Sequence, residues 1–584
     1  MSMPSPPTTT LPATQHAIQF VAPGRLVHNR EKPVPVPGPT QLIVKVEAVG
    51  ICFSDTKLLK AFHAHLRKAA VTSGIDTAEL AENPGYVPGT LPTVPGHECA
   101  GRIVAIGPAV RRHRVGERVL VQTDYRHLPT PGSNAAFGYD FEGGMQEYVL
   151  LDERMIIEPG TGERFLIAVG EAPSGSAVAL LEPWACVEAA YARRERSTLA
   201  SGGRLLVVAD PGHAVRGLAP LVAATPPAGV TAVLVDGIQR AALDAAVPEA
   251  DPATGPDARD AWAAVAAGDL PALPSGSFDD IVYFGADAGR IELLQGLLAP
   301  RGVLDIVLGG ARIGRPVQVD VGRIHYDLVR WVGTPGAAAA DGYAMAPADG
   351  ELRDGDRVAV IGAAGPMGLM HVVRAASLGR AGMTIAAVDI DDGRLARLAE
   401  VAAPLAEAYG IDVAFVNSRT SDPGTGFSYV AVMVPAPPIV AQYVRLAGDG
   451  CRVNLFAGFA VGTQVPLDVD DVLARRIYLF GTSGSEIPDM KAVLGRLERG
   501  ELDPNVSVDA VAGMEGVNEA LAAVEARTSG GKIVVYPMLH GLGLVPLAEM
   551  PERLPSVAAR LEDGRWTRAA EEALLAAEAD ATGR

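Results

Sequence analysis

Cysteine is scarce in this chain of 584 residues: Cys52, Cys99, Cys186 and Cys451 are all there is, and no CxxC pair occurs. That excludes a disulfide framework and a four-cysteine zinc lobe. Positive charge is also short. Lys and Arg number 50 against 68 Asp and Glu, a formal charge of −18, which argues against a nucleic-acid partner, because phosphate binding needs a basic surface. No uncharged apolar run reaches the roughly 18 residues of a membrane span. The opening MSMPSPPTTTLPATQ lacks the basic and apolar regions of a signal peptide and reads as a loose tail over 1–15. The expectation is a cytoplasmic protein with neither a nucleic-acid nor a membrane partner.

What is present is globular. Hydrophobic residues make up 48% and charged residues 20%, and at about 150 residues per domain the length asks for three or four bodies. LIVKVEAVG before Ile51, GRIVAIG from Gly101 and ERVLVQ from Glu117 are short β-branched runs between Gly/Pro turns, so residues 16–189 read as β-rich. The polar, Ala/Pro-rich stretch Lys60–Pro95 reads as a surface excursion, with His63 and His65 as surface residues. From about residue 190 the texture becomes βαβ, with RLLVVAD and TAVLVD as parallel strands.

The same texture restarts at DRVAVIG. Gly302, Gly310, Gly314, Asp320, Gly333, Thr334 and Gly336 recur as Gly450, Gly458, Gly462, Asp468, Gly481, Thr482 and Gly484, all at an offset of 148. The reading is an internal duplication giving two tandem Rossmann-like units, 190–336 and 337–485. The alternative is two unrelated domains sharing turn glycines. Residues 486–584 add an amphipathic helix (MKAVLGRLERGEL), a strand (GKIVVYP) and closing helices.

Metal-ligand chemistry is concentrated in the N-terminal third. Cys52 stands in GICFSDTK, His97 and Glu98 in PGHECAG, and Glu182 in LLEPWACVEAAY. A thiolate, an imidazole and carboxylates suit tetrahedral zinc with one open position. Each alone also has an ordinary reading: a small core residue, a satisfied structural histidine, a helix-opening carboxylate.

A dinucleotide needs glycines at a strand-to-helix turn, where backbone N–H groups and the helix N-terminus meet the pyrophosphate. The second unit has GAAGPMG, Gly362–Gly368. Gly365 and Gly368 take the second and third fingerprint positions, Pro366 and Met367 lie between them, and Ala363 stands at the first. Asp389 ends the next strand, can accept the ribose hydroxyls and would repel a 2′-phosphate, favouring NAD over NADP. In the first unit the frame reads ADPGHAV: Gly212 survives, but Asp210 and Val215 replace Ala363 and Gly368, while Asp236 is kept at the ribose position. That unit reads as degenerate and structural.

The segments GICFSD, PGHECAGRIVAIG, VGERVLVQ, EGGMQEYVLL and LLEPWACVEAAY, in this order, resemble the zinc-dependent medium-chain dehydrogenase/reductase family. VDIDDGRLARL, GAAGPMGL and GTSGSEIPDMK are similar to its sorbitol-dehydrogenase and sorbose-phosphate-reductase branch. The resemblance implies an α/β fold, with a GroES-like β-rich catalytic domain built from both chain ends and two doubly wound parallel-sheet units between. It implies one catalytic zinc on Cys52, His97 and Glu182, Glu98 able to replace the metal-bound water, Ser54 as proton relay and Asp55 orienting a ligand. Lys57 stands where many members have a relay histidine. The implied activity is hydride transfer between NAD(H) and a polyol, sugar or sugar phosphate, for which Lys57 and Arg126 are conceivable phosphate contacts. Family members dimerise by pairing Rossmann domains, so the chain is either a homodimer or a monomer with that pairing internal. Two alternatives remain: epimerisation or elimination with transient use of bound NAD, giving no net NADH, and a non-catalytic nucleotide-responsive scaffold.

Overall fold

The computed structural model describes residues 11–234, 236–247, 262–264 and 266–582. Most of the expected 1–15 tail lies outside the described residues, and a strand, Thr14–Ala22, already begins within it. The chain divides into two compact units: residues 1–188, 365–370 and 484–584 form one, residues 189–364 and 371–483 the other.

The first unit is built on an eight-stranded sheet to which both ends of the chain contribute. Its order is Val545–Pro546, Val508–Ala512, Lys532–Val535, Gln41–Ile51, Glu98–Ile106, Arg118–Val121 and Leu166–Ala168, with Tyr148–Asp152 also pairing Gln41–Ile51. QLIVKVEAVGI is buried along nearly its whole length because it is covered on both faces, which is where β-branched side chains pack best. The Lys60–Pro95 stretch differs from the expected surface excursion. After a left-handed bend at buried Phe62 (φ 45°) it forms short helical turns at Leu66–Lys68 and Thr77–Ala81, burying Lys68, Leu80 and Asn83.

The second unit holds two six-stranded, all-parallel sheets. The first runs Trp262–Ala264, Gly229–Val233, Arg204–Ala209, Phe278–Phe284, Leu298–Val307, Arg330–Thr334. The second runs Asp412–Asn417, Thr384–Asp389, Arg357–Ile361, Phe427–Val432, Ala447–Asn454, Tyr478–Phe480. Both have the doubly wound 3-2-1-4-5-6 order, with its switch point beside the first strand. The α/β class expected from the sequence therefore holds. Short strands Val317–Asp320 and Gln464–Leu467 pair antiparallel, one from each half of the unit.

Candidate functional site

The strand Gln41–Ile51 delivers Cys52 to the start of the helix Phe53–Ala61. Its antiparallel neighbour brings Glu98 opposite Gly50, so Cys52, His97 and Glu98 meet where two strands end. A side chain at Gly50 would collide with the Glu98 carboxylate; glycine there makes room for it. Ligand atoms of Cys52, His97 and Glu98 all lie within 4.8 Å of one another.

Each donor is held from behind. The Cys52 N–H donates to Asp55 Oδ2 at 2.9 Å. Asp55, fully buried, also sets Oδ1 3.5 Å from His97 Nδ1, which turns Nε2 the other way. Ser54 Oγ lies 3.4 Å from that Nε2. Burial on its own would depress the His97 imidazole; the Tyr139 hydroxyl and the Asp55 carboxylate outweigh it and hold the ring well above its ordinary value. Glu98 Oε1 accepts from Lys532 Nζ at 2.5 Å, and the same ammonium donates to the Ile51 carbonyl. Burial disfavours the charged lysine, yet Glu98 and Cys52 keep its pKa above the usual value.

Glu182 opens the helix Leu181–Ala192 and is not part of the 4.8 Å group. Burial pushes its carboxyl up to about 7, with His97 opposing and Glu98 and Asp124 adding to the rise. One turn on, the Cys186 thiol donates to Glu182 Oε1 at 3.6 Å. Lys57 is placed elsewhere: it is exposed, with its ammonium 5.7 Å from the Phe53 ring centroid. Arg126 is committed to the Ser485 carbonyl and Glu486.

The site suits a zinc ion by its donor chemistry. Glu98 Oε2 is buried without a hydrogen-bond partner among the described residues, an arrangement that is costly unless something else is bound there. The sulfur of half-buried Cys52 with the buried His97 nitrogen and Glu98 oxygen, within 4.8 Å of one another, form the donor set zinc takes.

At the glycine turn the structure changes the expected register. Gly362, not position 363, takes the left-handed conformation (φ 80°), and a Cβ there would come 2.7 Å from Val434 Cγ2. The turn is thus one residue longer than the spacing implied, and the helix Pro366–Ser377 begins directly after Gly365. Asp389 Oδ2 accepts from the Ala364 N–H at 3.1 Å, while Oδ1 is paired with Arg394 Nη2 at 2.7 Å. In the first sheet the corresponding helix, Ala219–Ala224, has six residues and starts ten residues after its strand. Asp210 is turned onto Arg290 and the Tyr283 hydroxyl, and Asp236 caps the next helix through Ile238 and Gln239.

Sequence reasoning missed Lys532, Tyr139, Cys186 and Arg394. A lysine opening the buried run KIVV and a cysteine four residues after Glu182 were available signals. Nothing in the sequence pointed to Tyr139.

Residues 38–160 match the family described as "Alcohol dehydrogenase GroES-like domain". The uncharacterized protein YggP of Escherichia coli is 30% identical over 246 residues, 38% of this chain and 57% of that protein. Mannitol-1-phosphate 5-dehydrogenase of Aliivibrio fischeri is 30% identical over 200 residues, 32% of this chain and 47% of that one. The chain thus spans about half the length of these curated relatives. Among solved structures, 2R,3R-butanediol dehydrogenase of Bacillus subtilis aligns with a TM-score of 0.49 at 15% identity, over 90% of this chain and all of that one. The GroES-like match falls on the very segment that carries Cys52 and His97, so residues 38–160 form a GroES-like domain of the alcohol dehydrogenase type.

Proposed function

We propose that this chain is a zinc- and nicotinamide-dependent oxidoreductase acting on a secondary alcohol or its ketone, in a polyol, sugar or sugar phosphate. The observation that carries the reading is the convergence of Cys52, His97 and Glu98 ligand atoms within 4.8 Å. Cys52 and His97 would hold the metal, with Glu98 or Glu182 as carboxylate ligand, and Gly362, Gly365–Gly368 and Asp389 would hold the dinucleotide. When bound, zinc supplies Lewis acidity towards the substrate oxygen and the nicotinamide supplies the hydride acceptor.

The residues of the chain do the rest. Ser54 Oγ, beside His97 Nε2, is the group placed to take the hydroxyl proton of the substrate. Asp55 fixes the imidazole from its Nδ1 side, the role a carboxylate plays behind a ligating histidine. Lys532 anchors one oxygen of Glu98 and leaves the other for the cluster. Asp389 favours NAD, and Arg394 offsets part of its charge, so discrimination against a 2′-phosphate should be weaker than the carboxylate alone would give.

The test combines metal analysis with NAD reduction over a panel of polyols and ketose phosphates. Cys52→Ser should lose both bound zinc and at least about 100-fold of the activity. Zinc-free protein with full activity would refute the metal assignment, and bound NAD without net NADH would favour epimerisation.

A further inference from the structure

The Lys60–Pro95 excursion brings a second polar group to the metal cluster. Tyr139 lies with its ring centroid 5.6 Å from that of His97. Against the same phenol ring pack His65, at 5.2 Å between centroids, and the Arg67 guanidinium, at 5.4 Å. Arg67 gives Nη1 to Asp124 Oδ1 at 2.5 Å. Its Nε and Nη2 have no hydrogen-bond partner among the described residues. His65 Nδ1 accepts the Arg67 N–H at 3.3 Å, so the ring proton sits on Nε2, free to donate. Burial, with the charges of Arg67 and Lys57, depresses His65 to about 4, so it is a neutral donor. His65, read from the sequence as a surface residue, thus belongs to one cluster with Arg67.

We propose that Arg67 and His65 form an anion subsite beside the metal cluster, which takes the phosphate monoester of a phosphorylated polyol or ketose. This rests on the dehydrogenase reading above. The Nε and Nη2 edge of the arginine and the imidazole N–H offer three donors to the three terminal oxygens of a phosphate. One aromatic ring separates the guanidinium from His97, a spacing a short carbon chain can span.

The test measures kcat/KM for a hexitol phosphate and for the unphosphorylated hexitol, with inorganic phosphate binding followed by calorimetry. The ester should be preferred roughly 100-fold, the scale of one buried charge-assisted contact. In Arg67→Gln that ratio should collapse towards one and phosphate binding should weaken at least about tenfold. Arg67→Gln with Asp124→Asn removes the ion pair without leaving a lone charge, and must give the same ratio. Equal use of ester and free hexitol, or an unchanged ratio in the variants, overturns the subsite, as does phosphate binding indifferent to Arg67. If neither compound is oxidised while phosphate binding still depends on Arg67, the dehydrogenase reading fails and the subsite stands.

A separate observation concerns the two parallel sheets. In the antiparallel pair joining the two halves of this unit, Val317 faces Leu467, Gln318 faces Pro466 and Val319 faces Val465. With the offset of 148, Gln318 faces its own counterpart, and the two flanking pairs are exchanged copies of each other. Other contacts repeat the exchange. Gly333 packs on Leu473 and Gly481 on His325; Gly322 packs on Ala460 and Val461, while Asp470 accepts from Ile313 N–H at 3.0 Å and lies 3.9 Å from Arg312. Mutual exchange of this kind defines an isologous, two-fold interface.

We infer that the two sheets are a duplicated pair arranged as a dimer within one chain, with the two-fold axis at Gln318 and Pro466, so that this surface is unavailable to a second copy. Gln318→Cys with Pro466→Cys should oxidise to a cross-link inside one chain, and Gln318→Cys alone should give no covalent dimer. Val317→Cys with Leu467→Cys provides an independent pair. A cross-link joining two chains, a covalent dimer from the single variant, or no cross-link in either pair would overturn the inference.

Discussion

The two parallel sheets share strand order and register, and they differ where a dinucleotide would be held. After Ile361 the chain bends left-handed at once, and a helix of twelve residues starts at Pro366. After Ala209 the left-handed residue is Gly212, and the helix is half as long and later. The first sheet thus lacks both the oriented N–H groups and the helix dipole that bind phosphate. The Asp210–Arg290–Tyr283 network stands at that turn instead. Strand pairing and packing survive without that turn. A sheet needs its buried rows of Val, Ile and Leu, whereas a phosphate turn needs particular backbone angles at a few positions.

The contrast is broken most strongly at Gly362. Gly362→Val puts a β-branched side chain at φ 80° and against Val434, and should weaken NADH binding at least about 100-fold. Gly212→Ala, with open space around it, should cost about 1 kcal/mol of stability and leave NADH affinity unchanged. Fluorescence titration of both variants checks the pair.

A second difference lies in the core. Asp305 is fully buried with both carboxylate oxygens unpartnered, and its counterpart at the offset of 148 is the apolar Val453. Burial, with Asp280 and Asp341 nearby, holds Asp305 well above the usual carboxylate range. The folded state therefore keeps its proton where the unfolded chain has lost it, so Asp305 lowers stability increasingly as pH rises above the ordinary carboxylate value. Asp305→Val should stabilise the protein by about 1–3 kcal/mol at neutral pH, and by less near pH 4. Thermal unfolding at the two pH values reads this directly.

The smallest expected effect separates Asp389 from Asp236. Asp389→Ala should weaken NAD binding about tenfold and narrow the preference over NADP. Asp236→Ala should leave nucleotide binding alone and cost about 1 kcal/mol through loss of the cap on Ile238 and Gln239.

Much of this was legible in the sequence where local pattern decides. LIVKVEAVG, GRIVAIG and RLLVVAD fall on strands of the structure, and the segments carrying Cys52, His97 and Glu98 meet, because strand ends in paired register bring them together. What stayed hidden depends on distant partners. Lys532 reaches Glu98 across 434 positions, and His65 acquires its surroundings only when the excursion packs on Tyr139. The Gly362 bend escaped a count of glycines because spacing does not register one extra residue in a turn. The short helix of the first sheet escaped it too, although Pro226 and Pro227 just past APLVAA mark its end, because a count of glycines does not read proline stop signals.

One of the two sheets should hold a nicotinamide dinucleotide, and the other should not. Calorimetric titration of the full chain with NADH tests it most directly. One equivalent should bind per chain, abolished by Gly362→Val and untouched by Asp236→Ala; two equivalents, or one that survives Gly362→Val, would show that the first sheet binds the dinucleotide.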